Sequence, residues 1–235
     1  MKTETQTETK EGMVGANMAR RSFLRHAGVG VASVGLLATA ACHKDHAVNP
    51  IGGTIDIGSG DTGILNYAYA LEQLEAAFYI QVIATPYSGI SAAEKTALTS
   101  IRDHEICHRN FFKAALAANA IVALTPDFSS IDFTSRTSVL GAAKAFEDTG
   151  VMAYDGAGYL IKTPAYLTIA GKIVSVEARH AAYIRDLITP GSFAGSDVIA
   201  PNGLNNSLTI AQVLAIANTY LKTKVSASSY NYFAS

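Results

Sequence analysis

Charge is scarce in this chain of 235 residues. Only 16% of its residues are charged, and the formal net charge is −1. That leaves no electrostatic footprint for a nucleic-acid partner. No run of like charges marks an acidic or basic tail. Cysteine is scarcer still, with Cys42 and Cys107 alone. Two thiols far apart in sequence make neither a disulfide framework nor a cysteine-based zinc site. The apolar run from Ala27 to Ala41 is too short to cross a membrane, which takes about 20 residues. Apolar residues, by contrast, are plentiful at 49% and allow a sizeable core.

The first nineteen residues are polar and without periodicity. Arg20-Arg21-Ser22-Phe23-Leu24-Arg25 then precedes a mild apolar segment rich in Gly and Ala. A twin-arginine pair in that setting reads as a Tat export signal over residues 1–42, with Met18 an alternative start. Two endings are open. Ala38-Thr39-Ala40 is an Ala-x-Ala cleavage site, and Thr39-Ala40-Ala41-Cys42 resembles a lipoprotein signal with Thr39 where Leu is usual. The expected location is the periplasm or cell envelope. The Tat translocase is the export partner, and Cys42 offers a membrane attachment. Residues 43–60 are Gly-rich and read as a linker, with His43 and His46 solvated.

Four long segments follow within residues 61–190. Helix one is expected from Asp61 or Thr62 to Ala84, stopped by Thr85-Pro86. Leu65, Ala68, Leu71, Ala76, Tyr79 and Ile83 give it an apolar face, on or beside which lie Glu72 and Glu75. Helix two opens on the capping box Ser91-Ala92-Ala93-Glu94 and runs to about Ala120. Ile121 to Arg136 reads as an irregular connection that can reach roughly 50 Å, against roughly 42 Å for a helix of 28 residues. It can therefore run the length of a bundle, with helix three starting at the end where helix one did. Helix three is expected from Ser138 to Ile161, weakened at Gly150, Gly156 and Gly158. Helix four is expected from Ala165 to Ile188. Residues 191–235 should form a loop, a short helix capped by Ser207 and ending near Lys222, and a tail carrying Tyr230, Tyr232 and Phe233.

The chemistry sits in Glu105-x-x-His108 and Glu177-x-x-His180. Residues i and i+3 share a helix face, so each pair aims a carboxylate and an imidazole at one point. The two halves also superpose in sequence. Ala70-Leu71-Glu72 followed by Tyr79 matches Ala145-Phe146-Glu147 followed by Tyr154, and Ile101 with Glu105-x-x-His108 matches Ile173 with Glu177-x-x-His180. In this register Glu72 pairs with Glu147, whereas Glu75 pairs with Gly150. The register therefore selects Glu72 as the helix-one ligand and leaves Glu75 as an outer neighbour or a solvated residue. Tyr79 and Tyr154 are the candidate catalytic residues, either as donors to carboxylates or as core side chains. His104 projects elsewhere on its helix, as an outer contact or a solvated group. Cys107 reads as a packed thiol, and Asp103, Arg109 and Arg179 as surface ion-pair residues.

Leu65-Asn66-Tyr67-Ala68 with Leu71-Glu72-Gln73-Leu74-Glu75-Ala76-Ala77-Phe78-Tyr79 resembles the opening helix of bacterial ferritin-like domain proteins, a group that includes desiccation-related proteins. The resemblance covers roughly Asp61 to Ile188. It implies an all-α, ferritin-like four-helix bundle with one long crossover and a short extra C-terminal helix. It also implies a dimetal site of one Glu from each of two helices and Glu-x-x-His from each of the others. Glu72, Glu105, His108, Glu147, Glu177 and His180 fill that pattern, with Glu105 and Glu177 bridging and Glu72 and Glu147 terminal.

Four carboxylates and two imidazoles suit two Fe ions or, alternatively, two Mn ions, and their charges cancel. Metal loading should then stabilise the fold. The expected activity is iron, oxygen or peroxide redox chemistry of ferroxidase, peroxidase or catalase type, on a small oxidant or Fe(II). The absence of Cys-x-x-Cys removes a rubredoxin-type electron donor. The competing expectation is a non-enzymatic envelope stress or desiccation scaffold with a structural metal. An iron-storage cage needs a large assembly, whereas a tethered chain fits a monomer or homodimer.

Overall fold

The computed structural model describes residues 53–230. The expected export signal, Cys42, His43, His46, Tyr232 and Phe233 lie outside the described residues. In chain order the elements are β1 (Thr54–Asp56), α1 (Gly60–Ala84), α2 (Ala92–Leu116), α3 (Arg136–Ala157), α4 (Pro164–Ile188), α5 (Ile210–Ala217) and β2 (Lys224–Ser226). One-turn 3₁₀ segments extend α2, α3 and α5 at Ala117–Asn119, Gly158–Leu160 and Asn218–Tyr220. Among the described residues no helix is long and apolar enough to cross a membrane.

Local chemistry sets the helix ends. The Ser91 side chain accepts from the Glu94 N–H while Glu94 answers to the Ser91 N–H, a reciprocal cap that satisfies two orphan donors. Pro164 opens α4, where a missing N–H costs nothing. The N–H groups just before it, of Lys162 and Thr163, donate to the Asp61 carboxylate at 2.7 and 2.8 Å, which ties the start of α4 to the start of α1. The cap of α5 is Thr209 rather than the expected Ser207. Gln212 stands three residues after Thr209 and completes its box, whereas Ile210 stands three after Ser207. The expected linker also contributes structure, since Thr54–Asp56 pairs in parallel with Lys224–Ser226.

α1 pairs with α2 and α3 with α4. The crossover then decides the relation of the pairs. Leaving the end of α2 and running back along the bundle, it delivers α3 to the end where α2 began. Arg136, the first residue of α3, accordingly bonds Glu94 in the first turn of α2 and the carbonyl of Leu187 at the end of α4. This corrects the expectation that helix three starts where helix one does. α3 starts where α1 finishes, so the two run antiparallel.

The crossover covers the outer side of α1 and explains why that helix is buried on nearly every face. Its backbone polar groups find partners on buried side chains of α1. Asn66 donates to the carbonyls of Ile57 and Asn119 and accepts from the Ile121 N–H. Gln73 accepts from the Leu124 N–H. Phe128 and Phe133 of the crossover pack with Phe78 of α1, and Phe146 of α3 lies 4.9 Å from Phe78 between ring centroids, edge to face. Tyr220 closes this cluster against Phe146 at 4.7 Å.

α3 carries glycines that its helical propensity would disfavour, and Gly156 has a packing reason. The backbone of Leu208 crosses it and donates to the Met152 carbonyl. A Cβ at position 156 would lie 1.9 Å from the Leu208 oxygen. Gly156→Ala should therefore destabilise the protein by about 2 kcal/mol or more through overpacking. Gly141→Ala, on an open face of α3, should stabilise by up to about 1 kcal/mol. Chemical denaturation of both variants checks the contrast.

Candidate metal centre

α1 to α4 each send one carboxylate into the middle of the bundle. Glu72, Glu105, Glu147 and Glu177 are all 0% exposed. α2 and α4 add His108 and His180 one turn after their glutamates. The Nδ1 of His108 lies 2.7 Å from Glu177, 3.4 Å from Glu72 and 3.5 Å from Glu105. The Nδ1 of His180 lies 2.8 Å from Glu105, 3.5 Å from Glu147 and 3.6 Å from Glu177. Exchanging the two halves of the repeat maps each distance onto its counterpart within 0.1 Å. Two donor groups result, Glu72–Glu105–His108–Glu177 and Glu105–Glu147–Glu177–His180, sharing Glu105 and Glu177.

The tyrosines follow the same exchange. Tyr79 of α1 donates to Glu147 of α3, and Tyr154 of α3 donates to Glu72 of α1, both at 2.5 Å. Each tyrosine thus fixes the carboxylate of the opposite half, as antiparallel α1 and α3 require. One oxygen of each outer glutamate is committed to a phenol. Glu72 Oε2, Glu147 Oε2, both oxygens of Glu105 and Glu177, and Nδ1 of both histidines are buried without a hydrogen bond. The short N–O separations therefore lack hydrogen-bonding alignment. These are donor atoms brought close together but not aimed at one another, as ligands to a common ion are. The donor set fits a divalent metal of the Mn, Fe or Zn kind.

The electrostatics show the same frustration. Burial raises the carboxyl of Glu72, and repulsion from Glu177 and Glu105 adds to it, holding it well above 4.5. Burial and repulsion from Glu105 and Glu177 push Glu147 to about 8, against the pull of His180. Burial opposes the charge on Glu105 too, but His108 and His180 win and hold it at about 2. Burial likewise disfavours the imidazolium at His108 and His180, yet the surrounding carboxylates push both to about 12. Burial and the adjacent Glu147 and Glu72 carboxylates keep the phenols of Tyr79 and Tyr154 protonated, as donors.

For two residues the structure decides between the alternatives that the sequence leaves open. Glu75 is only 4% exposed, not solvated. Burial and then the charges of Glu177, Glu105, Glu72 and Glu147 raise its carboxyl well above 4.5, so it belongs to the same electrostatic cluster. Its oxygen lies where a Cβ of Gly150 would be only 3.0 Å away. The carboxylate thus uses space that its own counterpart in the repeat leaves empty. His104 meets the site from outside, through the outer nitrogen of His180 at 2.9 Å. Cys107 is a free thiol and, contrary to the packed position expected, is exposed on the outer face of α2. The pairing of Glu75 with Gly150 in the sequence register was a signal for the first; for His104 the outer contact is one of the two expected alternatives, and the structure selects it.

Beside Tyr154, between the start of α1 and the start of α4, lies an apolar cavity of about 20 Å³ lined by Leu65, Ala68, Leu71, Phe112, Ala153 and Ile169 among others. It is large enough to admit a small molecule.

Among curated proteins no match to this sequence was found. The family described as "Ferritin-like domain" matches residues 60–190, from the start of α1 to just past the end of α4. With the bundle, the crossover and the donor cluster all inside that span, the chain belongs to the ferritin-like domain family.

Proposed function

We propose that this chain is an exported dimetal-carboxylate protein that handles iron, oxygen or peroxide. Glu72, Glu105, His108, Glu147, Glu177 and His180 hold two Fe ions, or two Mn ions, with Glu105 and Glu177 common to both. The observation that carries the reading is the set of buried, close and unsatisfied donor atoms shared between two equivalent groups. Bound Fe or Mn supplies redox chemistry and Lewis acidity. The chain's own part is to exclude bulk water and to fix the outer carboxylates through Tyr79 and Tyr154. The small apolar cavity beside Tyr154 is compatible with a small oxidant such as dioxygen or peroxide. The twin-arginine segment supports export in folded form to the periplasm or cell envelope, with Cys42 as an attachment point.

Elemental analysis of protein recovered after native export tests the reading directly. About two Fe or Mn per chain are expected, and near-zero metal that Fe(II) or Mn(II) cannot restore under anaerobic conditions overturns it. Glu105→Ala removes a donor from both groups, so it should abolish metal-dependent turnover. If the bundle serves only as a scaffold, the same change alters stability alone.

The metal-free protein should also show a characteristic pH response. Glu147 rises from 4.5 to about 8 on folding, so the folded state takes up a proton that the unfolded state lacks in that window. Stability tied to such a group is full below pH 4.5 and is lost as the pH rises through 8. Glu72 and Glu75 act with the same sign, and so do His108 and His180 above 6.5. Glu105 acts oppositely, but only below 4.5. Melting of the metal-free protein should therefore fall between pH 4.5 and 8, and Glu75→Gln should flatten that fall. Loading with Mn(II) should remove the fall, because the ions then balance the carboxylates.

A further inference from the structure

The two donor groups are nearly superposable, but their surroundings are not. On the α4 side, His180 turns Nδ1 into the carboxylate cluster and Nε2 outward to Nδ1 of His104, 2.9 Å away. The ring centroids are 5.1 Å apart and the planes lie within 8°. With nitrogens that close and centroids that far, the rings are edge to edge in nearly one plane. That is the alignment of an N–H···N hydrogen bond rather than of face-to-face stacking. His180 uses Nδ1 toward the cluster, so Nε2 carries the proton and donates, and His104 accepts. On the α2 side the repeat places Val176 where His104 stands, and valine has no acceptor to offer His108. Burial differs in the same sense. The His108 side chain is 13% exposed and that of His180 only 5%.

We infer that His104 is a positioning residue for His180, and that it makes the two metal positions unequal. The position built by Glu105, Glu147, Glu177 and His180 takes its ion first and holds it more tightly than the position built by Glu72, Glu105, Glu177 and His108. The inference rests on the dimetal reading above. Its physical basis is general: a hydrogen-bond acceptor on the outer nitrogen of a ligating histidine locks tautomer and ring orientation and raises ligand basicity, typically worth 10–100-fold in metal affinity. His104 itself lies at the surface of α2, so replacing it leaves the core untouched.

The test is anaerobic titration of the metal-free full chain with Co(II), read by calorimetry and by visible absorption of the bound ion. The wild-type chain should bind in two steps of unequal affinity. His104→Val, which installs the residue of the other half, should weaken the first step about 10–100-fold and leave the second, so that the two merge. It should also alter the absorption of the first equivalent. His104→Asn supplies an amide oxygen as acceptor and should restore most of the separation. In a His108→Ala background the tight step should persist and still respond to His104→Val. An unchanged isotherm in His104→Val, or equal weakening of both steps, overturns the inference while leaving the dimetal reading intact. No uptake of Co(II) by the wild-type chain overturns both.

Discussion

Like charges held close together in a dry core are the constraint on which this bundle depends. Donor atoms of Glu105 and Glu177 lie within 4.8 Å of those of Glu72 and Glu147. At that separation one pair of ionised carboxylates repels by roughly 3–4 kcal/mol even with an effective dielectric near 20. A few such pairs would rival the roughly 5–15 kcal/mol that hold a domain folded. The chain answers locally with two imidazoles drawn into the positive form and two phenols that each engage one outer carboxylate. It answers globally by making α1 a helix buried on nearly all faces, roofed by the crossover and the aromatic cluster around Phe78. The scaffold's rigidity has a purpose in this light: the donors are kept close although they repel.

Duplication explains how one chain builds so balanced a cluster. Two helix pairs of the same pattern, joined by a connection that runs back along the bundle, bring α1 and α3 together antiparallel. Residues 72 and 154 then face each other, as do 79 and 147. A glutamate followed by a tyrosine two turns later therefore serves the other half rather than its own. The same exchange makes each Glu-x-x-His motif contribute its glutamate to both donor groups and its histidine to one.

Much of this was legible before any coordinates. Spacing alone placed Glu105 with His108 and Glu177 with His180 on shared helix faces, and the repeat selected Glu72 over Glu75. The tyrosines were visible as a repeated pair, but their crosswise partners were not, because partnership depends on the relative direction of α1 and α3. The direction follows from the hairpin that precedes the crossover: α2 ends beside the start of α1, so a connection that runs the length of the bundle delivers α3 where α1 finishes, not where it starts. Thr54–Asp56 escaped notice because a three-residue strand has too little pattern to stand out from a Gly-rich segment, and its partner lies 170 residues away. His104 stays open in the sequence, between an outer contact and a solvated group, for a related reason. Helical spacing says which residues share a face on one helix, and the contact with His180 is made between two.

The places where the repeat fails are the most informative about use. Glu75 faces Gly150 rather than a second glutamate, and His104 has Val176 as its counterpart. Neither departure helps a bundle that needs only to stand. Buried charges replaced by well-packed apolar residues are often neutral or stabilising, and a glycine in mid-helix costs up to about 1 kcal/mol. Here the chain carries both costs at one point: a fifth carboxyl group in the cluster, and the glycine that makes room for it. Both departures add polar groups to one half of a symmetric cluster, and both do so within reach of its donors. A purely structural staple has no need of unequal halves. Unequal halves instead suit two positions of unequal affinity, the difference inferred above from the contact of His104 with His180.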